Sequence, residues 1–583
     1  MFVYLFEAKS IQAYLFRSGK LKDVISASER LDRLVDDAPH STLALVLKAA
    51  ELESNLLDSE LAVKDKVIGF TRAKGGAFYA YCQQQAPLLA LRSLWSLSLQ
   101  QLFPSLEFAD ALVEGESLAE AMAKGHPALA TSRNTPLIKL PISTAPCAHA
   151  PRTGLAAVPL SAAAKKEMGN RNTADAIDLD TEHHRQGYRL LQLREKNLIS
   201  KFTHAPDGVS TLPEGLSFPL DTEDFPGFET ADGKKETVRD LALVHLDGNG
   251  LGLLLRGLQT ALKACSDEEF SRAFRTFSNA LAKATQTAAN KATGWLYDQQ
   301  SAEQKNTQML PMRPIVLGGD DVTIFCQADL AIGFSEVFCN EFKEASKAEL
   351  ATLHQQYLQK TTIKPYLTAS GGILYHKSTH PFTTCHQLVE GLCQEAKQTT
   401  KAADKDVGPA ALAFYRISTA LAESIASLRE QSQHFKLGQQ TLISTLGGYL
   451  VAAEPKSTEP KKPAPTLEML AKAIRLLRQR NAQGTPLPLS IAKLRQMTTE
   501  LARGDNQEAE RIYQRALALL EQKNKPEWKA WQQILGELSL GATTESWHWS
   551  TAGNLQSWIT DLLIHAHFQP ALQPVKGIQG GQS

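Results

Sequence analysis

"PIVLGGDDVTIFC", residues 314–326, sets two glycines and two adjacent carboxylates, Asp320 and Asp321, inside an apolar run. Glycine and aspartate are favoured turn residues, so the plain reading is a hairpin between buried strands. A sharper reading is a metal site at the hairpin tip, and the flanking segments decide between them. Upstream, "LALVHLDGNGLGLLLRGL" (241–258) reads as a strand ending at Asp247 followed by a glycine-rich entry into a helix. A long helix fits 267–298 and another 327–357. The strand "YLTASGGILYH" (366–376) and the helix "FTTCHQLVEGLCQEAKQTTKAA" close the unit. The order β-α-β-β-α-β-α is ferredoxin-like. In it the first and third strands are neighbours, so Asp247 and the Asp320–Asp321 pair are expected on one sheet edge.

Carboxylates gathered there repel one another unless a cation neutralises them. Oxygen ligands of this kind suit Mg²⁺ or Mn²⁺. Two such ions ~3.5–4 Å apart activate an attacking hydroxyl and stabilise a pyrophosphate leaving group. Gly248, Gly250 and Gly252 remove the Cβ atoms that would keep phosphates from the backbone N–H groups at the helix entry. Lys397, in "CQEAKQTTK", can reach a triphosphate as a point charge; taken alone it reads as a solvated helix lysine.

A second, degenerate copy of this outline precedes it. Residues 2–7 read as a strand, and a helical stretch covers "SIQAYLFRSGKLKDVISASERLDRLVDD". "VIGFTRAKGGAFYAYCQQ" gives two strands around Gly75-Gly76, and a helix fits 86–100. The turn here is Gly-Gly-Ala-Phe, without acids. The fold class expected is therefore α+β: a first, degenerate ferredoxin-like unit over 1–140, an irregular segment over 141–236, a second ferredoxin-like unit with the Gly-Gly-Asp-Asp turn over 237–420, and a helical domain over 421–583 with an exposed linker near 454–465.

With 583 residues the chain needs several cores. Lys plus Arg and Asp plus Glu are both 62, so no global basic field draws it to nucleic acid. Seven scattered cysteines favour a reducing cytoplasm, and no apolar run is long enough for a membrane span.

The ordered set "HLDGNGLG", "VLGGDDVTIF", "TASGGILYHKSTHPF", "EAKQTTK" and "GPAALAFYRIS" resembles the second Palm domain of the large, polymerase-like subunit of type III CRISPR effector complexes, and "IQAYLFRSGKLKDVISASERLDRL" resembles its first Palm. More distant relatives are GGDEF diguanylate cyclases and class III nucleotide cyclases. The resemblance implies two ferredoxin-like Palms and polymerisation of ATP, with Mg²⁺ or Mn²⁺, into cyclic or linear oligoadenylate second messengers in antiviral defence. Asp247, Asp320 and Asp321 match the metal and catalytic acids. Gly248, Asn249, Gly250, Gly318, Gly319, Ser370 and Lys397 match positions at the nucleotide. In the first Palm, Ser28 matches one of two small polar positions while Asp32 replaces the other, and Gly75 matches the turn. The resemblance implies effector subunits and guide or target RNA as partners, or a homodimer if the chain acts alone. With a Palm strand starting at Phe2, no HD nuclease domain and no DNA cleavage are expected. His183-His184 is expected at the surface. Cys147 is one thiol where a zinc module needs four ligands, so no zinc is expected. A Palm-fold scaffold without catalysis and a GGDEF-type cyclic dinucleotide synthase are the competing functions; the acids argue against the first, and the duplication and missing fourth-position Glu against the second.

Overall fold

The computed structural model describes residues 1–135, 147–158, 176–192, 197–225, 228–229, 235–236, 240–378, 380–417, 424–452, 464–481, 484–541, 546–551 and 553–569. Most of the anticipated 454–465 linker lies outside them. Among the described residues no helix is long and apolar enough to cross a membrane.

Two sheets share one topology. The first holds β1 (Phe2–Lys9), β2 (Gly69–Lys74), β3 (Ala77–Cys82) and β4 (Glu107–Glu114) in the order β2-β3-β1-β4. The second holds β5 (Asp240–Asn249), β6 (Met312–Gly318), β7 (Asp321–Gln327), β8 (Thr368–Lys377), β9 (Ala411–Arg416) and β10 (Gly448–Leu450), ordered β6-β7-β5-β8-β9-β10. In each, the opening strand lies between the second hairpin strand and the strand that follows, and it is antiparallel to both.

β5 is central because it is apolar on both faces. Leu241 to Leu246 are all buried. Ala242, Val244 and Leu246 pack in one core with Phe334 and Phe338 of the helix Ala331–Glu349, which lies against the long helix Asp267–Gln299. Leu241 and Leu243 belong to a second core with Leu388 and Leu392 of the helix Phe382–Ala403. That second core also takes in Tyr4, Phe6 and Phe78 of the first unit, so one apolar cluster runs through both units.

The two hairpin turns meet. Lys74 pairs with Ala77 around Gly75 and Gly76, both with positive φ (64° and 73°), the pattern of a type I′ turn. Gly318 pairs with Asp321 around Gly319, φ 63°, and Asp320. A Cβ on Gly318 would stand 3.6 Å from Gly75 Cα, an ordinary van der Waals separation, so the two turns are in direct neighbourhood.

Two expectations need correction. The C-terminal part has the anticipated helices (Leu467–Leu477, Ile491–Arg503, Asn506–Lys523, Lys525–Leu538, Ile559–Phe568), but it also contains a four-stranded sheet of His434–Leu437, Gln440–Ile443, Asn554–Gln556 and Trp549–Thr551. Its strands are three or four residues long and pair Ile443 with Gln556, so neither alternation nor proximity in sequence signals them. His184 is buried rather than at the surface: its Nδ1 lies 2.7 Å from Arg30 Nη1 and its ring meets Tyr14 edge-on. The helix Leu179–Gln192, which carries it, packs on the helix Leu21–Asp32 and pairs Arg185 with Asp23.

A buried polar clasp ties the C-terminal part to the second unit. Arg429 donates to both oxygens of Glu395, at 2.9 and 2.6 Å, and to Gln433 and Thr445. Asp561, on the last helix, accepts from Thr445, from the Leu446 backbone N–H and from the Tyr449 hydroxyl. Burial raises the Asp561 carboxyl to about 6, outweighing the nearby Arg429 and these donors. Removing one partner of a buried pair costs about 3–5 kcal/mol, so Arg429→Ala is expected to lower the denaturation midpoint well beyond Arg429→Lys. The Asp561 shift has a signed consequence. Its folded form holds a proton that the unfolded form, near the usual ~3.9, releases. Its share of stability is therefore present below pH ~4 and lost as pH rises to about 6. Asp561→Asn should flatten that slope, read as denaturation midpoints at pH 4, 5 and 6.

Candidate active site

Backbone pairing brings the acids together. Leu246 is opposite Val322 on one side of β5, and Asp247 is opposite Ser370 on the other. The end of β5 therefore lies beside the hairpin tip, and Asp247 beside Asp320. Gly248 makes room: a Cβ there would come within 2.5 Å of Asp320 Oδ2 and 2.7 Å of its Cβ. The tip is held from behind, where Thr285 of the long helix donates to the Gly319 carbonyl at 2.6 Å.

The electrostatics follow from this crowding. Burial, and then the charges of Asp247 and Asp321, push the Asp320 carboxyl up to about 7. Asp247 is ion-paired with Lys397. Burial works against the Lys397 charge, but Asp247 outweighs it and holds the ammonium above its usual value. Asp321 Oδ2 accepts from Gln12 Nε2 of the first unit at 2.7 Å. Its Oδ1 lies 3.2 Å from His245 Nδ1 without hydrogen-bond alignment, so that buried oxygen has no hydrogen-bond partner. Burial opposes charge on His245, yet the Asp321 carboxylate raises it well above the ordinary histidine value.

In kind, three carboxylates fit a hard divalent cation. In position, Lys397 pairs with Asp247 and His245 lies beside Asp321, which offsets part of their charge. Among the described residues no group of three or more His, Cys, Asp or Glu side chains converges as a ready metal site.

The remaining anticipated residues are placed in three ways. Gly75, Gly318, Ser28, Gln12 and Asp321 line a cavity of about 670 Å³ between the units, and Gly319 lines a smaller one beside it. The Ser28 hydroxyl is engaged by the Ile315 carbonyl. Asn249 and Ser370 are buried behind the acids. Asn249 donates to Thr368 and Ser370, Ser370 bonds Thr400, and Thr368 donates to the Gly408 carbonyl. Gly250, φ 90°, opens the helix Leu251–Ala261, where a Cβ would strike Val407 at 2.7 Å. Sequence reasoning passed over His245, two residues before Asp247 and so on its face of the strand, a signal that alternation provides. It also passed over Gln12, whose contact with Asp321 spans 309 residues and leaves no local trace.

Comparison with known proteins adds the following. Residues 240–406 match the model of the Cas10/Cmr2 second palm domain. None of the curated proteins matches. Among solved structures, a Csm1-Csm4 cassette in complex with cA4 aligns at 14% identity and TM-score 0.36, over 68% of this chain and 52% of that one. The cassette in complex with one ATP gives 14%, 0.37, 68% and 53%. The Csm1-Csm4 subcomplex of the type III-A CRISPR-Csm interference complex gives 13%, 0.36, 68% and 53%. The chain thus spans about half the length of the solved chains it matches. The three carboxylates, the glycine turn and Lys397 all lie inside the segment matched by the family model, and over residues 240–406 the chain is a Cas10-like second palm domain.

Proposed function

We propose that the chain is a divalent-cation-dependent nucleotidyltransferase that joins ATP into cyclic or linear oligoadenylates. The observation that carries this reading is the strand pairing that sets the β5 end at Asp247 beside the Asp320–Asp321 turn, with Asp321 lining a ligand-sized cavity between two Palm units. A scaffold gains nothing from packing three repelling carboxylates, and their mutual strain needs a cationic ligand to relieve it. Asp247, Asp320 and Asp321 would hold Mg²⁺ or Mn²⁺, which supplies Lewis-acid stabilisation of phosphoryl oxygens and of a nucleophile.

The chain's own groups have separable tasks. Gly318 and Gly319 expose turn backbone towards the cavity, and Lys397 provides a mobile positive charge for a triphosphate once Asp247 turns to a cation. Gln12 and His245 fix the orientation of Asp321 from two sides. Apolar wall residues such as Ile11, Phe16 and Leu317 limit water in the cavity. The palm match and the sequence resemblance support type III effector subunits and guide or target RNA as partners; the ordered motifs, rather than the low-scoring structural likenesses, carry that support.

Asp320→Ala with Asp321→Ala is expected to lower ATP turnover on the order of 10³-fold or more, with a melting temperature unchanged or raised because like charges are removed. Labelled ATP, Mg²⁺ or Mn²⁺ and mass spectrometry read the products; wild-type turnover in the double variant would leave the scaffold reading standing. Gly248→Ala should push Asp320 off its position and weaken Mn²⁺ binding about ten-fold or more, measured by titration calorimetry. Equal affinity would show that Asp320 is not a ligand.

A further inference from the structure

Behind the acids lies a buried polar network that the proposed chemistry does not use. Asn249, Thr368, Ser370 and Thr400 are each at most 8 % exposed. Asn249 is two residues after Asp247 on β5, and Thr400 is three residues after Lys397 on the helix Phe382–Ala403, so each lies on the face of its neighbour. β8 carries Thr368, opposite Asn249, and Ser370, opposite Asp247, and it packs against that helix. The network is therefore an inner rung beneath an outer one, the Lys397–Asp247 ion pair.

Counting hydrogens fixes its direction. The Asn249 amide has two, and they go to Thr368 Oγ1 at 3.1 Å and Ser370 Oγ at 2.8 Å. Each hydroxyl has one hydrogen to give. Thr368 gives its own to the Gly408 carbonyl at 2.6 Å. Thr400 gives its own to the Pro409 carbonyl at 3.0 Å. In the 2.8 Å bond between Ser370 and Thr400, Ser370 is therefore the donor, and it has no hydrogen left for a ligand. Two one-way chains thus start from one amide and end on consecutive carbonyls of the segment 404–409. That segment is held in turn. A Cβ at Gly408 would come 2.4 Å from the Thr400 carbonyl oxygen, and Lys364 Nζ donates to the Val407 carbonyl at 2.9 Å. A carboxamide at position 249 can start both chains; a carboxylate there has no hydrogen to start either.

We propose that Asn249 is a positioning residue for the acid site, and that its two chains set the spacing between Asp247 and Lys397. Buried chains of this kind polarise each other and are directional, so they lock the strand end, β8 and the helix turn into one block. With the block intact, the Lys397 ammonium meets Asp247. With either chain cut, the helix turn loosens from the strand end and the ammonium turns to water. The consequence at a bound cation rests on the nucleotidyltransferase reading; the spacing itself is tested apart from metal and activity.

The test removes one hydroxyl at a time from the full chain. Thr400→Val and Thr368→Val keep shape and cut different chains, while Thr400→Ser keeps its hydroxyl. Without metal, and with circular dichroism as the folding control, trace acetic anhydride acetylates the lysines. Peptide mass spectrometry then reads Lys397 against Lys401, an exposed lysine of the same helix. Both Val variants should raise the Lys397-to-Lys401 ratio several-fold, and Thr400→Ser should keep it at the wild-type level. Mn²⁺ binding, by titration calorimetry, should weaken about ten-fold in the Val variants. A lowered denaturation midpoint with an unchanged ratio would make the network packing alone and overturn the proposal. So would a Thr400→Ser ratio as high as that of Thr400→Val. If one Val variant does not fold, the other decides. If the ratio rises as expected but wild type binds no Mn²⁺, the positioning role stands and the nucleotidyltransferase reading falls.

Discussion

Asp247, Asp320 and Asp321 repel one another, and the second unit is built so that they cannot part. β5 is buried on both faces, so the strand end bearing Asp247 cannot slide without exposing two cores. Gly248 admits the Asp320 side chain where any Cβ would exclude it, and Thr285 ties down the turn at Gly319. The energy of the packed sheet thus holds an electrostatically unfavourable arrangement, and burial, then the charges of Asp247 and Asp321, raise the Asp320 carboxyl to about 7. Lys397 and His245 offset part of the charge from within the same unit, but neither faces Asp320 as a direct partner.

Much of this was legible in the sequence because it depends on local signals. The continuous apolar run before Asp247, the Gly-Gly-Asp-Asp turn and the long helical periods fix element type, and the ferredoxin-like order then brings Asp247 to the hairpin without further information. What could not be read lies in contacts between distant segments. Gln12 reaches Asp321 across 309 positions, and Ile443 pairs with Gln556. Ser370 shows a subtler gap. A serine in a glycine-rich strand suggests an exposed ligand contact, yet alternation along β8 turns it inward to Asn249 and Thr400. The sequence identifies a polar residue near the site but not which face of the sheet it serves.

The two units are alike in topology and unlike in charge, and the contact between them explains why. Their turns are neighbours at Gly75 and Gly318, and Gly75 suits glycine through its positive φ of 64°. Acids on both tips would set two clusters of repelling charge against each other across that contact. At the hairpin positions of Asp320 and Asp321 the first unit carries the uncharged Gly76 and Ala77, and the next residue, Phe78, is buried against Phe6 and Trp95.

The helix Phe382–Ala403 joins these constraints to the rest of the chain. Its buried face, with Leu388, Leu392 and Ala396, packs under the sheet, while Lys397 pairs with Asp247 from its partly exposed side. Two residues before Lys397, Glu395 is gripped at both oxygens by Arg429. Arg429 in turn shares Thr445 with Asp561 of the last helix. A movement of the C-terminal sheet would therefore load the same helix turn that sets the position of Lys397. Two parallel hydrogen bonds, rather than one, fix the Glu395 carboxylate against the Arg429 guanidinium. A continuous run of polar contacts thus leads from the C-terminal part to the helix that carries Lys397, although among the described residues no hydrogen bond or ion pair joins that part to Asp247, Asp320 or Asp321.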